Sequence, residues 1–188
     1  LILFISYFVI IGCSGLKNTE PPDPRLDKKD GRYFTDQEDV NDDYQIHFIY
    51  MLDQYGEDNE LDINGQMEKE LLEMNEKMLE LTGGKQKYKL DYRKNGKLDI
   101  SFIRLDVRGK DKKGWGMDYP VYFIQKKGFN NPKKLYFAWV DFNHKKNGGN
   151  MGVHHGFLYL KSRHNYNKMK RVRLTLHELL HGQGFSWP

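Results

Sequence analysis

His177-Glu178-Leu179-Leu180-His181-Gly182-Gln183-Gly184-Phe185 decides how this 188-residue chain is read. Two histidines four apart, with a glutamate directly after the first, form the pattern HExxH. On an α-helix, positions i and i+4 share one face, so both imidazoles reach a single metal ion. Glu178 lies about 100° round the helix from His177, beside that ion and free to act on water bound to it. Zinc suits the arrangement, because imidazole is among its preferred ligands and catalytic zinc keeps one coordination position open. With 7 His and 10 Glu in the chain, chance supplies about 0.01 such matches, which sets coincidence aside.

The flanking residues support a helix. Val172, Leu176, Leu179 and Leu180 fall at i, i+4, i+7 and i+8, one apolar face. Asn165 or Asn167 is placed to cap its start, and Gly182 or Gly184 to end it in a left-handed conformation. A surface helix that happens to carry two histidines is the plain alternative, and the spacing argues against it.

HELLHGQGF resembles the active-site helix of the zincin metallopeptidases. In their metzincin branch the pattern runs HExxHxxGxxH; Gly184 matches its glycine, but Trp187 stands where its third histidine would be. The nearer likeness is to uncharacterised secreted bacterial proteins with an HExxHGxGF helix, a D-x-N-G turn and a G-x-L-D-[IV]-[ST]-F strand. Here these read Asp62-Ile63-Asn64-Gly65 and Gly96-Lys97-Leu98-Asp99-Ile100-Ser101-Phe102. The resemblance implies an α+β, zincin-like fold: a twisted, mixed β-sheet with a backing helix and a C-terminal HExxH helix. It implies Zn²⁺ on His177 and His181, a third ligand downstream of Pro188, and Glu178 as general base in peptide hydrolysis. The chain is then a piece truncated at both ends, with residues 44–188 the N-terminal part of the peptidase domain. It also implies that Gly156–Lys161, the strand before the helix, is the sheet edge that pairs with an extended peptide. A lipid-anchored binding or surface domain without turnover is the competing class; an intact Glu178 argues against it.

Composition bounds the rest. Hydrophobic residues make up 38% and charged residues 30%, with a mean hydropathy of −0.79, a polar-surfaced globular chain without an internal membrane span. Charge is uneven: residues 20–82 carry a net −13 and residues 83–188 a net +16. The lysines of the basic half come as scattered pairs, such as Lys126-Lys127 and Lys133-Lys134, rather than one stripe. They read as solvated faces and not as a nucleic-acid surface. Residues 1–13, LILFISYFVIIGC, read as the end of a signal peptide with a lipobox, so Cys13, the one cysteine, is the expected lipidation site of an extracytoplasmic protein. Residues 14–43, with Pro21, Pro22 and Pro24, read as a flexible tether that holds the domain off the membrane. The lipid is the expected membrane contact, and a peptide or protein the expected partner.

Strands are expected at Tyr44–Leu52, Leu135–Phe142 and Phe157–Leu160. A helix is expected from Gln66 to Leu81, with its methionines in the core and Gly83-Gly84 as its stop. A hairpin turns at Asn95-Gly96, and a short helix runs from Asp118 to Lys127. His47 reads as a strand-face residue. His154-His155 read as surface histidines, since neighbours on a strand face opposite ways. The acidic stretch 57–68 is a poor calcium loop, lacking the bidentate Glu at its twelfth position (Leu71); an acidic turn capping the next helix fits better.

Overall fold

The central strand, β1 (Gln45–Leu52), is buried at every position, as a β-branched and aromatic run covered on both faces should be. Ile46, Phe48, Tyr50 and Leu52 enter one apolar layer, while Ile49 and Met51 enter the other. A computed structural model describes residues 23–107, 118–143, 148–161 and 167–184. After β1 come α1 (Gln66–Leu81), β2 (Ile100–Arg104), α2 (Asp118–Lys126), β3 (Lys134–Asn143), β4 (Gly149–Met151), β5 (His155–Lys161) and α3 (Lys168–Gly182). The sheet order is β2-β1-β3-β5-β4, parallel except for β4, which runs antiparallel to β5. Helices α1 and α3 pack on the face of Phe48 and Tyr50, and α2 covers the face of Ile49 and Met51. The result is a mixed α/β arrangement with a mostly parallel sheet, rather than segregated α+β. No helix of the described residues is long and apolar enough to cross a membrane.

The local rules explain most elements. Helix α1 buries Met67, Leu71, Met74 and Met78 along one stripe, and Gly83 and Gly84 take φ of 63° and 81° to end it. The Asn-Gly turn forms, with Gly96 N–H donating to the Arg93 carbonyl and Arg93 N–H to that of Lys97. Its arms pair antiparallel through the Tyr92–Leu98 bridge and the Asp99 N–H to the Asp91 carbonyl, as expected, but both arms also continue along β1. Leu90 bridges Ile46 in parallel, and β2 then pairs in parallel along the same edge of β1 from Phe48 onward. The turn is an excursion within one line of pairing.

The tether expected over 14–43 is corrected by its described part, residues 23–43. Asp27 is buried against Arg104, which donates to it from Nε and Nη2 at 2.8 Å. Tyr33 bridges Ser101, and its carbonyl accepts the Phe102 N–H. Arg32, whose side chain has no exposure, donates to Asp58 at 2.7 Å and to Asp62 at 2.8 Å and lies over the Phe102 ring. A charged segment of low hydropathy gives no local sign of docking, because its partners lie 26 or more residues away. The same contacts set the calcium loop aside. Asp58 and Asp62 are held by Arg32, and Lys29 pairs with Asp58 and Glu60; α1 begins after Gly65, at φ 81°, with no side-chain cap, and Asn64 accepts the Gln66 N–H in a turn just before it.

Removing Arg32 leaves two carboxylates without their cation in a buried setting. Arg32→Ala is therefore expected to cost roughly 3–5 kcal/mol at neutral pH, read by urea unfolding. Burial alone would push the Asp58 carboxyl up, but its bonds to Arg32 and Lys29 hold it well below the usual range. Its stabilising effect is complete above the unfolded value of about 4 and is lost as pH falls through the lower folded one. The deficit of Arg32→Ala should accordingly narrow in acid, and a pH-independent deficit would contradict the ion-pair account.

Candidate metal-binding and active site

Helix α3 starts where Asn167 accepts the Lys170 N–H and ends at Gln183, with Gly184 left-handed at φ 85°. Two polar contacts add to its apolar face in setting its rotation. Buried Trp139 of β3 donates its Nε1–H to Thr175 Oγ1 at 3.0 Å. Arg171 donates to Glu70 of α1 at 2.8 and 2.5 Å. With Val172, Thr175, Leu176 and Leu179 buried, residues 177 and 181 fall at the rim. His177 is half-buried and His181 exposed.

The two imidazoles converge. Their Nε2 atoms lie 3.0 Å apart, with ring centroids 4.4 Å apart and planes at 83°. Two nitrogens each ~2.1 Å from one tetrahedral zinc ion would be ~3.4 Å apart, so a small outward rotation admits the metal. Glu178 is buried on the neighbouring flank, against β4, and its carboxylate accepts the Gly149 backbone N–H. Burial pushes the Glu178 carboxyl above its ordinary range, against the opposing pull of His177, His181 and that amide. The arrangement sets a buried carboxylate beside two converging imidazoles.

Strand β4 is the element the sequence reading lacks. Three residues are too few to show an alternating pattern, and they sit inside a glycine-rich run with Gly148, Gly149 and Gly152. The expectation that Gly156–Lys161 forms the sheet edge is corrected: β5 is paired on both sides, by β3 and β4, and the edge is Gly149–Met151. Glycine is required there by space. A Cβ on Gly149 would lie 2.3 Å from the Phe157 carbonyl oxygen and 2.5 Å from Glu178 Cγ. At Gly182 it would meet Met151 Cε at 2.6 Å, so Gly182 makes room for β4 while Gly184 makes the turn.

The other sequence candidates fall elsewhere. Cys13 and the region 1–22 lie outside the described residues. His155 stacks on Tyr136, with 6.0 Å between ring centroids, while His154 is exposed; the pair does face two ways. Among the described residues, the group of three or more ligand-type side chains that gathers closely is not on α3. It is Asp36, His47, Asp91 and Asp99. His47 is thus more than a strand-face residue. Its Nδ1 lies 2.8 Å from Asp91 Oδ2 and its Nε2 3.0 Å from Ser101 Oγ, with no exposure. A cation is already present, for buried Lys134 reaches Asp36, Asp39 and Asp91 at 2.5, 2.5 and 2.7 Å. Lys134 therefore departs from the solvated lysine face expected of it. Those partners hold its ammonium well above the usual lysine range despite burial. In this cluster Lys134 compensates the charge of the carboxylates.

Comparison with protein-family models and with curated proteins gave no match. The geometry of α3 must therefore carry the functional reading by itself. The setting of that helix can be checked at Thr175. Thr175→Val leaves the buried Trp139 N–H without an acceptor, at an expected cost of about 1–3 kcal/mol. Urea unfolding followed by tryptophan fluorescence measures it, and an unchanged midpoint would show that the bond does not fix α3.

Proposed function

We propose that this chain is the zinc-carrying part of an exported metallopeptidase of zincin type, acting on peptide bonds. The observation that carries the reading is the convergence of His177 and His181 on one point, with the Glu178 carboxylate held next to them. His177 and His181 would hold Zn²⁺ through Nε2. Catalytic zinc takes a third protein ligand, and among the described residues no further ligand-type side chain gathers with these two. Zinc, when bound, supplies Lewis acidity toward a carbonyl and toward water. Glu178 takes a proton from the attacking water and passes it to the leaving amine. Burial raises its proton affinity above that of an ordinary carboxylate, and the Gly149 amide aims its carboxylate. Among the described residues β4 is the last strand of the sheet and lies beside Glu178, where an extended peptide adding to the sheet would bring its backbone to the base. The mixed sheet with α1 and α3 on one face is compatible with a zincin-like scaffold.

Glu178→Gln keeps the side-chain shape and removes the base. In the full-length protein it is expected to retain one zinc per chain while peptide cleavage falls at least ~100-fold. His177→Ala and His181→Ala should each lose the zinc, measured by metal analysis after gel filtration. Equal cleavage by the Glu178→Gln protein and its parent, or no stoichiometric zinc in the parent, would overturn the assignment. Export is tested separately: radiolabelled palmitate should be incorporated by the expressed precursor and not by its Cys13→Ser variant, whereas equal labelling excludes Cys13 as the lipid site.

A further inference from the structure

Between α1 and α3 lies an open groove of about 790 Å³, within the size range of ligand sites. Its α3 wall runs through Leu176 and Leu180 and reaches His177, so one imidazole belongs both to the groove and to the candidate metal site. Glu178 turns the other way, toward β4. The zinc position proposed above therefore lies between two surfaces, the last described strand on one side and an apolar groove on the other. Of the residues lining that groove, Leu81 of α1 and Met169 of α3 are 71% and 68% exposed. Large apolar side chains left in water beside an apolar wall gain free energy when they are covered. Continuity with His177 favours one kind of cover, a group presented to the metal.

Charge narrows the choice. The charged residues of the rim cancel in pairs, with one left over. Lys77 meets Glu80 at 2.6 Å, and Lys168 meets Glu73 at 2.5 Å. Arg173 lines the same groove and has no carboxylate partner among the described residues, since Glu70 is taken by Arg171. It stands exposed one helical turn before His177, about 6 Å along the axis and on the same face. An extended peptide advances about 3.3–3.6 Å per residue. With a carbonyl at the metal, the next one or two residues bring a side chain over Leu176 and Leu180 and a carboxylate within reach of Arg173.

We propose that this groove is the substrate pocket of the site: it takes a large apolar side chain, and Arg173 binds a carboxylate within two residues of the bond that is cut. The substrate class is a peptide in which an apolar residue adjoins a carboxylate, supplied by the chain terminus or by an acidic side chain. The inference rests on the zinc reading for the fate of the bond, and not for binding, because the groove and Arg173 need no metal to be in place. Arg173 meets the carboxylate and not the reacting atoms, so its part is recognition. A guanidinium suits that part, since its planar fork matches a carboxylate in two parallel hydrogen bonds.

Small probes test this without any cleavage. N-acetylleucine, its amide, N-acetylalanine and the amidated dipeptide N-acetyl-leucyl-aspartate are titrated into the full-length protein, with carbon-13 NMR following the methyl groups of Met169 and Leu180. The tighter of the two leucine acids should bind at least about fivefold better than the leucine amide, and which acid it is identifies a terminal or a side-chain carboxylate. N-acetylleucine should bind at least about tenfold better than N-acetylalanine. Arg173→Gln should remove the preference for acid over amide and keep that for leucine over alanine. Equal affinities of acid and amide, an undiminished preference in Arg173→Gln, or no movement of the two methyl signals overturns the proposal. Zinc content measured on the same samples keeps the two readings apart. Selective binding by a protein without zinc sinks the metallopeptidase and leaves the groove, and a zinc-loaded protein that does not discriminate does the reverse.

Discussion

Strand β1 lies between β2 and β3 with helices over both faces, and none of its eight side chains is open to solvent. A polar side chain in such a place is tolerated only where the protein supplies its partners. Tyr50 donates to buried Asp141 at 2.7 Å, Asn59 donates to the same carboxylate, and Lys161 stands 3.3 Å from it. His47 draws in the hairpin excursion, β3 and the 33–39 segment in the same manner. The polar side chains of the central strand are therefore the points to which the loops at both ends of the sheet are tied. A chain with no disulfide available to it, having one cysteine, holds its connections through charge buried at the sheet.

The candidate site depends on that frame at one remove. Helix α3 places two imidazoles together only because its rotation is set from beneath, by Trp139 on Thr175 and by the leucines and valine beside them. Arg171 on Glu70 fixes it sideways against α1. A turn of 100° either way would put Glu178 in solvent or a histidine in the core. What the HExxH spacing permits, the sheet enforces.

Much of this was legible in the residues. The limits of α1 agree with its methionine stripe and glycine stop, and Asn167 and Gly184 act at the ends of α3 as their types suggest. These signals are local, each contained in a turn or two of chain. What escaped notice was long-range. Arg32, Lys134 and His47 look like ordinary polar residues until segments 26 to 98 positions away are brought against them. Parallel pairing of β2 with β1 was hidden by a strong turn signal that is real but does not govern the sheet. Strand β4 was hidden by its brevity. The convergence of His177 and His181 was readable, because a helix carries its own register; the edge that flanks it was not.

The fit of Gly149 against Glu178 has a consequence for how these two positions can vary. Backbone and carboxylate occupy the space in which any larger residue at 149 would place its first carbon. A smaller residue at 178 would remove only one of these obstacles, since the Phe157 carbonyl oxygen lies 2.3 Å from where that carbon would sit. Descendants that lose the glutamate therefore stay bound to glycine at 149, 29 residues away, for as long as β4 keeps its pairing with β5.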